Sequence, residues 1–161
     1  MKIYVVSNTR TGVTNELTYE VRKDDSTPVS GNIVQGFSGD DVDAIKARAF
    51  QIAKEYEAAL TVESELAAQI GEHAIAGSTN KIAIQAVTRP AGQAQVNVTF
   101  AVKNAGGSII YGPTVKVISN CAGMTWQRLK NEVQQFNEKL ENAMASETVF
   151  AGATGNEISV V

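Results

Sequence analysis

Few residues of the types that carry out catalysis or bind metals are present. The chain has one histidine, His73, and one cysteine, Cys121. A zinc site needs several Cys, His or carboxylate ligands, and a Cys–His dyad needs a third group that orients the imidazole. The sequence contains neither arrangement. We interpret His73 as a linker or core histidine and Cys121 as a small buried residue.

Two clusters of aspartates suggest a divalent-cation site. Asp24 adjoins Asp25, and Asp40, Asp41 and Asp43 lie close together further along. A calcium loop needs a longer alternating Asp/Asn series that ends in Glu, and the sequence has none. A turn and a helix N-terminus explain the clusters better, because acidic residues favour the positive end of a helix dipole. We predict no bound metal and no cofactor.

The remaining candidates for chemistry are two arginines and a glycine-rich turn. Arg10 and Arg89 occupy matching positions in two predicted hairpins. Paired arginines can hold a phosphate or a partner's carboxylate, and the alternative is a pair of solvated hairpin residues. The sequence AGGS at residues 105–108 is not a phosphate loop, because no Gly-Lys-Ser/Thr follows it. No catalytic residue can be named, and we predict that the protein is not an enzyme.

The elements that carry these residues indicate a tandem duplication. KIYVVSNTRTG at residues 2–12 and KIAIQAVTRPAG at residues 81–92 share a β-branched run, then Thr-Arg and then Gly. LTYEVRK at residues 17–23 and VTFAVKN at residues 98–104 alternate apolar and polar side chains, as half-buried strands do. A polar loop and a third β-like run, NIVQGF or TVKVIS, follow in each half.

A predicted amphipathic helix ends each half. Ser38, in a capping box with Asp41, and Thr125 are the predicted N-terminal caps. Apolar residues then recur at spacings of three and four, which places them on one helical face. The first helix has Val42, Ile45, Ala49, Ile52, Tyr56 and Leu60, and the second has Trp126, Leu129, Val133, Phe136, Leu140 and Met144. The second helix is predicted to span residues 125–143.

These elements predict an α+β fold, a tandem duplication of a small antiparallel sheet with one long amphipathic helix. The first unit is residues 1–62 and the second is residues 81–146. Residues 63–80 form a linker, with a short extra helix over residues 63–75 as an option. Residues 147–161 form a C-terminal extension that ends in a strand. The alternative to duplication is that any α+β domain alternates such elements.

The C-terminal hexapeptide NEISVV resembles the two lead strands MKIYVV and NKIAIQ. We interpret it as a third lead strand with no unit after it, with Ile158 and Val160 on one face. It either closes the sheet of its own chain or adds to the sheet edge of a neighbouring subunit. The predicted interface residues are Ile158, Val160, Val161, Arg10 and Arg89.

Composition limits the partners and the location. The 161 residues are 43% apolar, which suits one domain or two very small ones. The net charge of −3 argues against general nucleic-acid binding. Neither a membrane span nor a signal peptide is evident, so we expect synthesis in the cytoplasm. Residues 1–80 sum to −5 and residues 81–161 to +2, which either favours head-to-tail docking or is incidental.

In overall style the chain resembles small virion proteins of tailed bacteriophages, such as capsid decoration (cement) proteins or head–tail and tail components. The features behind this resemblance are the β-rich halves with Gly, Ser, Thr and Asn turns, the scarcity of His and Cys, and the extension ETVFAGATGNEISVV. It is compositional and has no diagnostic motif. It implies a non-enzymatic virion subunit that binds copies of itself and another structural protein such as a capsid subunit, without nucleic acid or membrane. The alternatives are a tail or head–tail connector component, or a small-ligand or peptide-binding module.

Overall fold

The computed structural model describes residues 1–155 and has an α+β fold with two antiparallel sheets and two helices, which confirms the predicted fold class. Neighbouring strands in each sheet are consecutive in the chain. Sheet A contains β1 (Lys2–Thr11), β2 (Thr14–Arg22) and β3 (Ile33–Ser38), and is followed by helix α1 (Val42–Ala67). Sheet B contains β4 (Gly71–Ala74), β5 (Lys81–Thr88), β6 (Val96–Lys103) and β7 (Ile109–Ile118), and is followed by helix α2 (Trp126–Gly152).

The two lead strand pairs share one register. Ile3 lies opposite Val21 in sheet A, and Ile82 lies opposite Val102 in sheet B. Both ladders then skip one residue of the lead strand at a β-bulge. The skipped residues, Val6 and Gln85, occupy equivalent positions. Because bulges are kept within related structures, the shared bulge supports the predicted duplication. The strand β4 is the element that the first unit lacks.

The structure corrects three predicted boundaries. Helix α1 runs to Ala67 and β4 follows at Gly71–Ala74, so the optional helix over residues 63–75 is wrong. Helix α2 continues to Gly152, so the start of the predicted extension is helical. The apolar positions that located the predicted end of α2 were followed only as far as Met144. The residues that follow are still tolerated in helices, and the next glycine is Gly152 itself.

Asp41, rather than Ser38, caps helix α1. Its carboxylate accepts a hydrogen bond from the backbone N–H of Ala44 at 2.8 Å. Ser38 cannot take this role because it is the last residue of β3. The predicted cap of α2 is confirmed, since Thr125 Oγ1 accepts from the backbone N–H of Arg128 at 3.2 Å.

Helix α1 belongs to the cores of both units. Its first half covers sheet A, where Ala53 and Tyr56 pack against Val21. Its second half covers sheet B through Ala59, Val62 and Leu66. An amphipathic helix is stabilised mainly by the apolar face that it buries, so α1 forms at this length because two sheets cover it. The sheets are therefore packed on one shared helix.

Helix α2 packs on sheet B through its first half only. Leu129 and Val133 are buried in the sheet B core. Beside them, Lys116 Nζ of β7 lies 2.8 Å from Glu132 Oε2. The hydrogen bond from Lys116 lowers the pKa of the Glu132 carboxyl below its usual value of 4.5. This ion pair ties the edge strand β7 to α2.

We expect Glu132→Gln to lower the free energy of unfolding by about 0.2–1 kcal/mol at neutral pH, the range for partly exposed ion pairs. A carboxyl with a depressed folded-state pKa adds stability above its unfolded pKa and loses it as the pH falls through the folded value. The difference from wild type should therefore shrink as the pH falls below the ordinary glutamate pKa of 4.5 and vanish below the depressed folded-state pKa. Urea denaturation across this pH range measures it. Glu138→Gln, at an exposed position on the same helix, is the control, and an equal effect there would contradict the assignment.

Candidate functional site

His73 is a packing residue at the junction of the two helices. Its ring lies on Trp126, with the ring centroids 4.7 Å apart. Its Nε2 lies 2.8 Å from the backbone oxygen of Gln69. Glu65 of α1 also contacts α2 here: its carboxylate accepts a hydrogen bond from the backbone N–H of Trp126 at 2.7 Å. These contacts fix where α2 starts, and they give the histidine a structural role.

Cys121 lines a cleft of about 590 Å³ between α1 and the loop that joins β7 to α2. The thiol is buried, and its Sγ lies 3.4 Å from the backbone oxygen of Ile118, to which it donates. Burial raises the pKa of the Cys121 thiol, so it stays protonated at neutral pH. Since the thiolate is the reactive form, this cysteine is not an activated nucleophile. The charged residues that line the cleft, Lys54 and Glu55, are exposed.

Four of the five aspartates in the two clusters have hydrogen-bond or ion-pair partners. Asp24 binds the N-terminal ammonium, Asp25 the backbone N–H of Thr27, Asp40 the guanidinium of Arg48 and Asp41 the backbone N–H of Ala44. The hydrogen bond from Thr27 lowers the pKa of the Asp25 carboxyl. Within residues 1–155, no group of three or more His, Cys, Asp or Glu side chains is placed to hold a metal ion.

The two predicted interface arginines have different surroundings. Arg10 is exposed at the end of the first hairpin, where Nη1 donates to the backbone oxygen of Gly12 at 3.0 Å. Arg89 is mostly buried: Nε donates to Glu63 at 3.3 Å and Nη1 donates to the backbone oxygen of Val29 at 3.1 Å. It therefore joins the two units within one chain. Of the pair, Arg10 is the one that remains accessible to a partner.

The other predicted interface residues, Ile158, Val160 and Val161, lie outside the described residues. The interface hypothesis for this hexapeptide stays a prediction.

The edge of sheet A is a surface that the sequence analysis missed. Within residues 1–155, β1 pairs with β2 on one side and with no strand on the other. Tyr4, Val5 and Val6 are 48%, 53% and 46% exposed. The signal was available, because three consecutive large apolar residues in a strand cannot all face one side of a sheet. An accessible apolar edge strand is a template for pairing with another chain.

The second half of α2 is the other missed surface. Among the described residues, the last side-chain hydrogen bond from α2 to the body is at Glu141, which accepts from Ser78 and from Asn80 Nδ2, the latter at 3.1 Å. Residues 142–152 are exposed throughout. They include Met144, Val149 and Phe150, all large and apolar. The segment is helix without a partner among the described residues.

Asn137 is the last buried residue of α2 among the described residues. It is 1% exposed, and its Oδ1 accepts a hydrogen bond from Asn80 Nδ2 at 2.9 Å. Its own Nδ2 has no hydrogen-bond partner in the described part of the chain. A buried amide constrains packing to arrangements that satisfy it. The Asn80–Asn137 contact therefore fixes the position of α2 against the turn before β5.

Comparison of the chain with protein-family models, curated protein sequences and solved structures finds no match. In the part of the chain that the structure describes, neither helix has an apolar stretch sufficient to cross a membrane.

Proposed function

We propose that this protein is a non-enzymatic structural subunit that associates with copies of itself in a larger assembly. The observation that carries the proposal is the open edge of sheet A, where β1 exposes Tyr4, Val5 and Val6. Monomeric proteins usually protect such edges with charges, prolines or covering loops. The β-bulge at Val6 protects this edge in part, but the residues before it, Tyr4 and Val5, are exposed and pair only with β2 among the described residues.

The proposed complement of this edge is the hexapeptide at residues 156–161 of a neighbouring copy. Its alternating Ile158 and Val160 suit an added strand, which gains main-chain hydrogen bonds from the edge and contacts from alternate side chains. The same hexapeptide resembles the start of β1 itself. Strand β2 already pairs with β1. A strand of related sequence from a neighbouring copy is suited to pair in the same way with the free side of β1.

The narrower hypothesis is a virion protein of a tailed bacteriophage, most simply a capsid decoration protein, with a tail or head–tail connector component as the alternative. Its support is the compositional resemblance, together with the arrangement of two sheets on a shared helix and two exposed apolar surfaces. Such a protein would bind copies of itself and a second structural protein, and would use no metal or cofactor.

A small-ligand or peptide-binding module is the second candidate function. One observation favours it, the cleft of about 590 Å³ beside Cys121 with Lys54 and Glu55 in its lining. A ligand with both a cationic and an anionic group would suit these side chains. Because the site is partly open and has few converging polar groups, we rank this function second.

We expect Val6→Lys to weaken self-association by at least about tenfold, because a lysine on an edge strand opposes strand addition. Sedimentation velocity over a concentration series measures the effect. Val13→Lys is the matched control: it adds the same charge at a 78% exposed position in the turn between β1 and β2. Equal weakening by both variants would show a general charge effect, and no weakening by either would remove the β1 edge from the assembly.

A further inference from the structure

The free end of α2 continues the apolar stripe that the helix buries on sheet B. Seven positions alternate spacings of four and three residues, as in a heptad pattern. They are Leu129, Val133, Phe136, Leu140, Ala143, Glu147 and Phe150. The first four pack in or against the sheet B core, and the last three lie on the exposed segment at residues 142–152. One face of one helix is therefore half buried and half without a partner.

The exposed segment is long enough to pair with another helix. Its 11 residues from 142 to 152 extend about 16 Å at 1.5 Å per residue. It extends a helix that is already anchored, so it forms without a new nucleation cost. Its apolar side chains, above all Phe150 at 63% exposure, are left in water. A second helix laid along the stripe would cover them.

We propose that the occupant is helix α2 of a second copy, packed antiparallel with Ala143 of each copy at the centre, so that residues 142–152 of one copy lie level with residues 134–144 of the other. The argument is charge complementarity. Lys139 and Glu147 lie four residues to either side of Ala143. In the antiparallel arrangement Lys139 of each copy therefore lies level with Glu147 of the other. Neither side chain has an ion-pair partner within the described chain, and both are exposed. A parallel pair would place Glu147 beside Glu147, which is unfavourable.

The same register gives Phe150 a place to bind. Phe136 and Phe150 lie seven residues to either side of Ala143, so Phe150 of one copy lies level with Phe136 of the other. Phe136 lines a groove of about 290 Å³ between β7 and α2, together with Tyr111 and Val115. The rings of Tyr111 and Phe136 are 4.6 Å apart at their centroids. A third aromatic ring packed there gains apolar burial and edge-to-face contact.

Ala143 suits the centre of such a pair. A small side chain where two helices cross allows their backbones to approach closely. The pairing is symmetric, so the two Lys139–Glu147 contacts and the two Phe150 grooves form together. It rests on the proposed function, as one contact of the assembly, but it uses surfaces separate from the β1 edge.

The first test compares two neighbouring truncations on the free helix. Phe150→Ala should raise the dissociation constant of the pair by about 10–100-fold, the range for a central aromatic contact. Val149→Ala is the matched control, since Val149 is 62% exposed and lies outside the stripe. It should change the dissociation constant by less than about threefold. Sedimentation equilibrium measures both, with thermal unfolding to confirm that each variant is folded.

The second test exchanges the charges. Lys139→Glu and Glu147→Lys should each weaken the pair, and the double variant should restore it, because opposite charges then face each other again. In a parallel pair each position faces itself, so a charge reversal exchanges one like-charge pair for another and the double variant restores nothing. If Phe150→Ala leaves association unchanged, or if the double variant fails to restore it, the antiparallel pairing is wrong. If the α2 pairing is wrong but Val6→Lys still weakens association, the proposed function stands. If the wild-type chain stays monomeric, both the α2 pairing and the proposed function are contradicted.

Discussion

Leu129→Ala is expected to lower the free energy of unfolding by about 2–5 kcal/mol, the range for a buried leucine truncated in a packed core. Leu129 is 1% exposed and lies in the sheet B core. The cavity that its side chain leaves would be bounded by α2, α1 and the sheet, which share this core. We expect a single cooperative transition, since α1 packs on both sheets.

Phe150→Ala is the matched comparison on the same helix. Below the concentration at which chains associate, it should change the free energy of unfolding by no more than about 0.5 kcal/mol, as exposed substitutions do. Urea denaturation of both variants measures the contrast. A large loss of stability for Leu129→Ala and a small one for Phe150→Ala would show that the first half of α2 stabilises the fold and that its second half is free to contact a partner. A loss at Phe150 comparable with the loss at Leu129 would place Phe150 in the folded core and contradict this division.

Deletion of residues 156–161 is expected to leave the chain folded and to weaken association by at least about tenfold. Full burial of Ile158 and Val160 at an interface would contribute about 1.5–3 kcal/mol each. Ordering the segment costs roughly 1–2 kcal/mol for each residue fixed, and new strand hydrogen bonds offset part of that cost. The net gain per contact is therefore small, and it accumulates over a repeated assembly.

Circular dichroism and sedimentation velocity on the truncated chain measure the two parts of this prediction. Ser159→Ala in the full chain is the control, because Ser159 alternates with Ile158 and Val160 in the sequence and would lie on the other face of the predicted strand. If the truncated chain unfolds outright, the hexapeptide belongs to the core of its own chain. If it associates like the full chain, the resemblance between NEISVV and the lead strands has no part in assembly.

The fold class, most strands and both helix positions could be predicted from the sequence. Alternation in LTYEVRK and VTFAVKN located β2 and β6, because one face of each strand packs on a helix. On α2 the spacing of three and four residues located the buried Leu129 and Val133, although Met144 is exposed. On α1 only Ala49 and Tyr56 of the six predicted positions are buried, and Val42 is 64% exposed. The cap at Thr125 was also identifiable, because its side chain bonds within its own turn. These features depend on local geometry alone.

Features that depend on tertiary contact could not be predicted. No local sequence feature indicates that α1 packs against two sheets, or that Arg89 donates a hydrogen bond to the backbone oxygen of Val29 in the other unit. Asn137 occupies a position at which an apolar residue would be expected, and only its contact with Asn80 explains its burial. The predicted end of α2 was wrong because the stripe was followed only to Met144, and Glu147 hides its continuation to Phe150.

The candidate site was only partly predictable for a related reason. The sequence placed the aspartates in a turn and at a helix terminus, where Asp25 and Asp41 accept hydrogen bonds from backbone N–H groups two and three residues away. The ion pairs of Asp24 and Asp40, with partners 23 and eight residues away, could not be predicted from local sequence. It paired Arg10 with Arg89 by position, and the structure separates their roles because one hairpin faces α1 and the other faces solvent. The exposed β1 edge and the exposed second half of α2 were missed. Whether a residue is exposed depends on which other elements pack against it, and the local sequence does not show this.

The most direct test of the proposed role is the mass of the intact, untagged chain in solution, measured by native mass spectrometry and sedimentation over a wide concentration range. A structural subunit that associates with itself should show species at multiples of 17.1 kDa that increase with concentration. A single species of 17.1 kDa at every concentration, with no response to Val6→Lys or Phe150→Ala, would contradict the account.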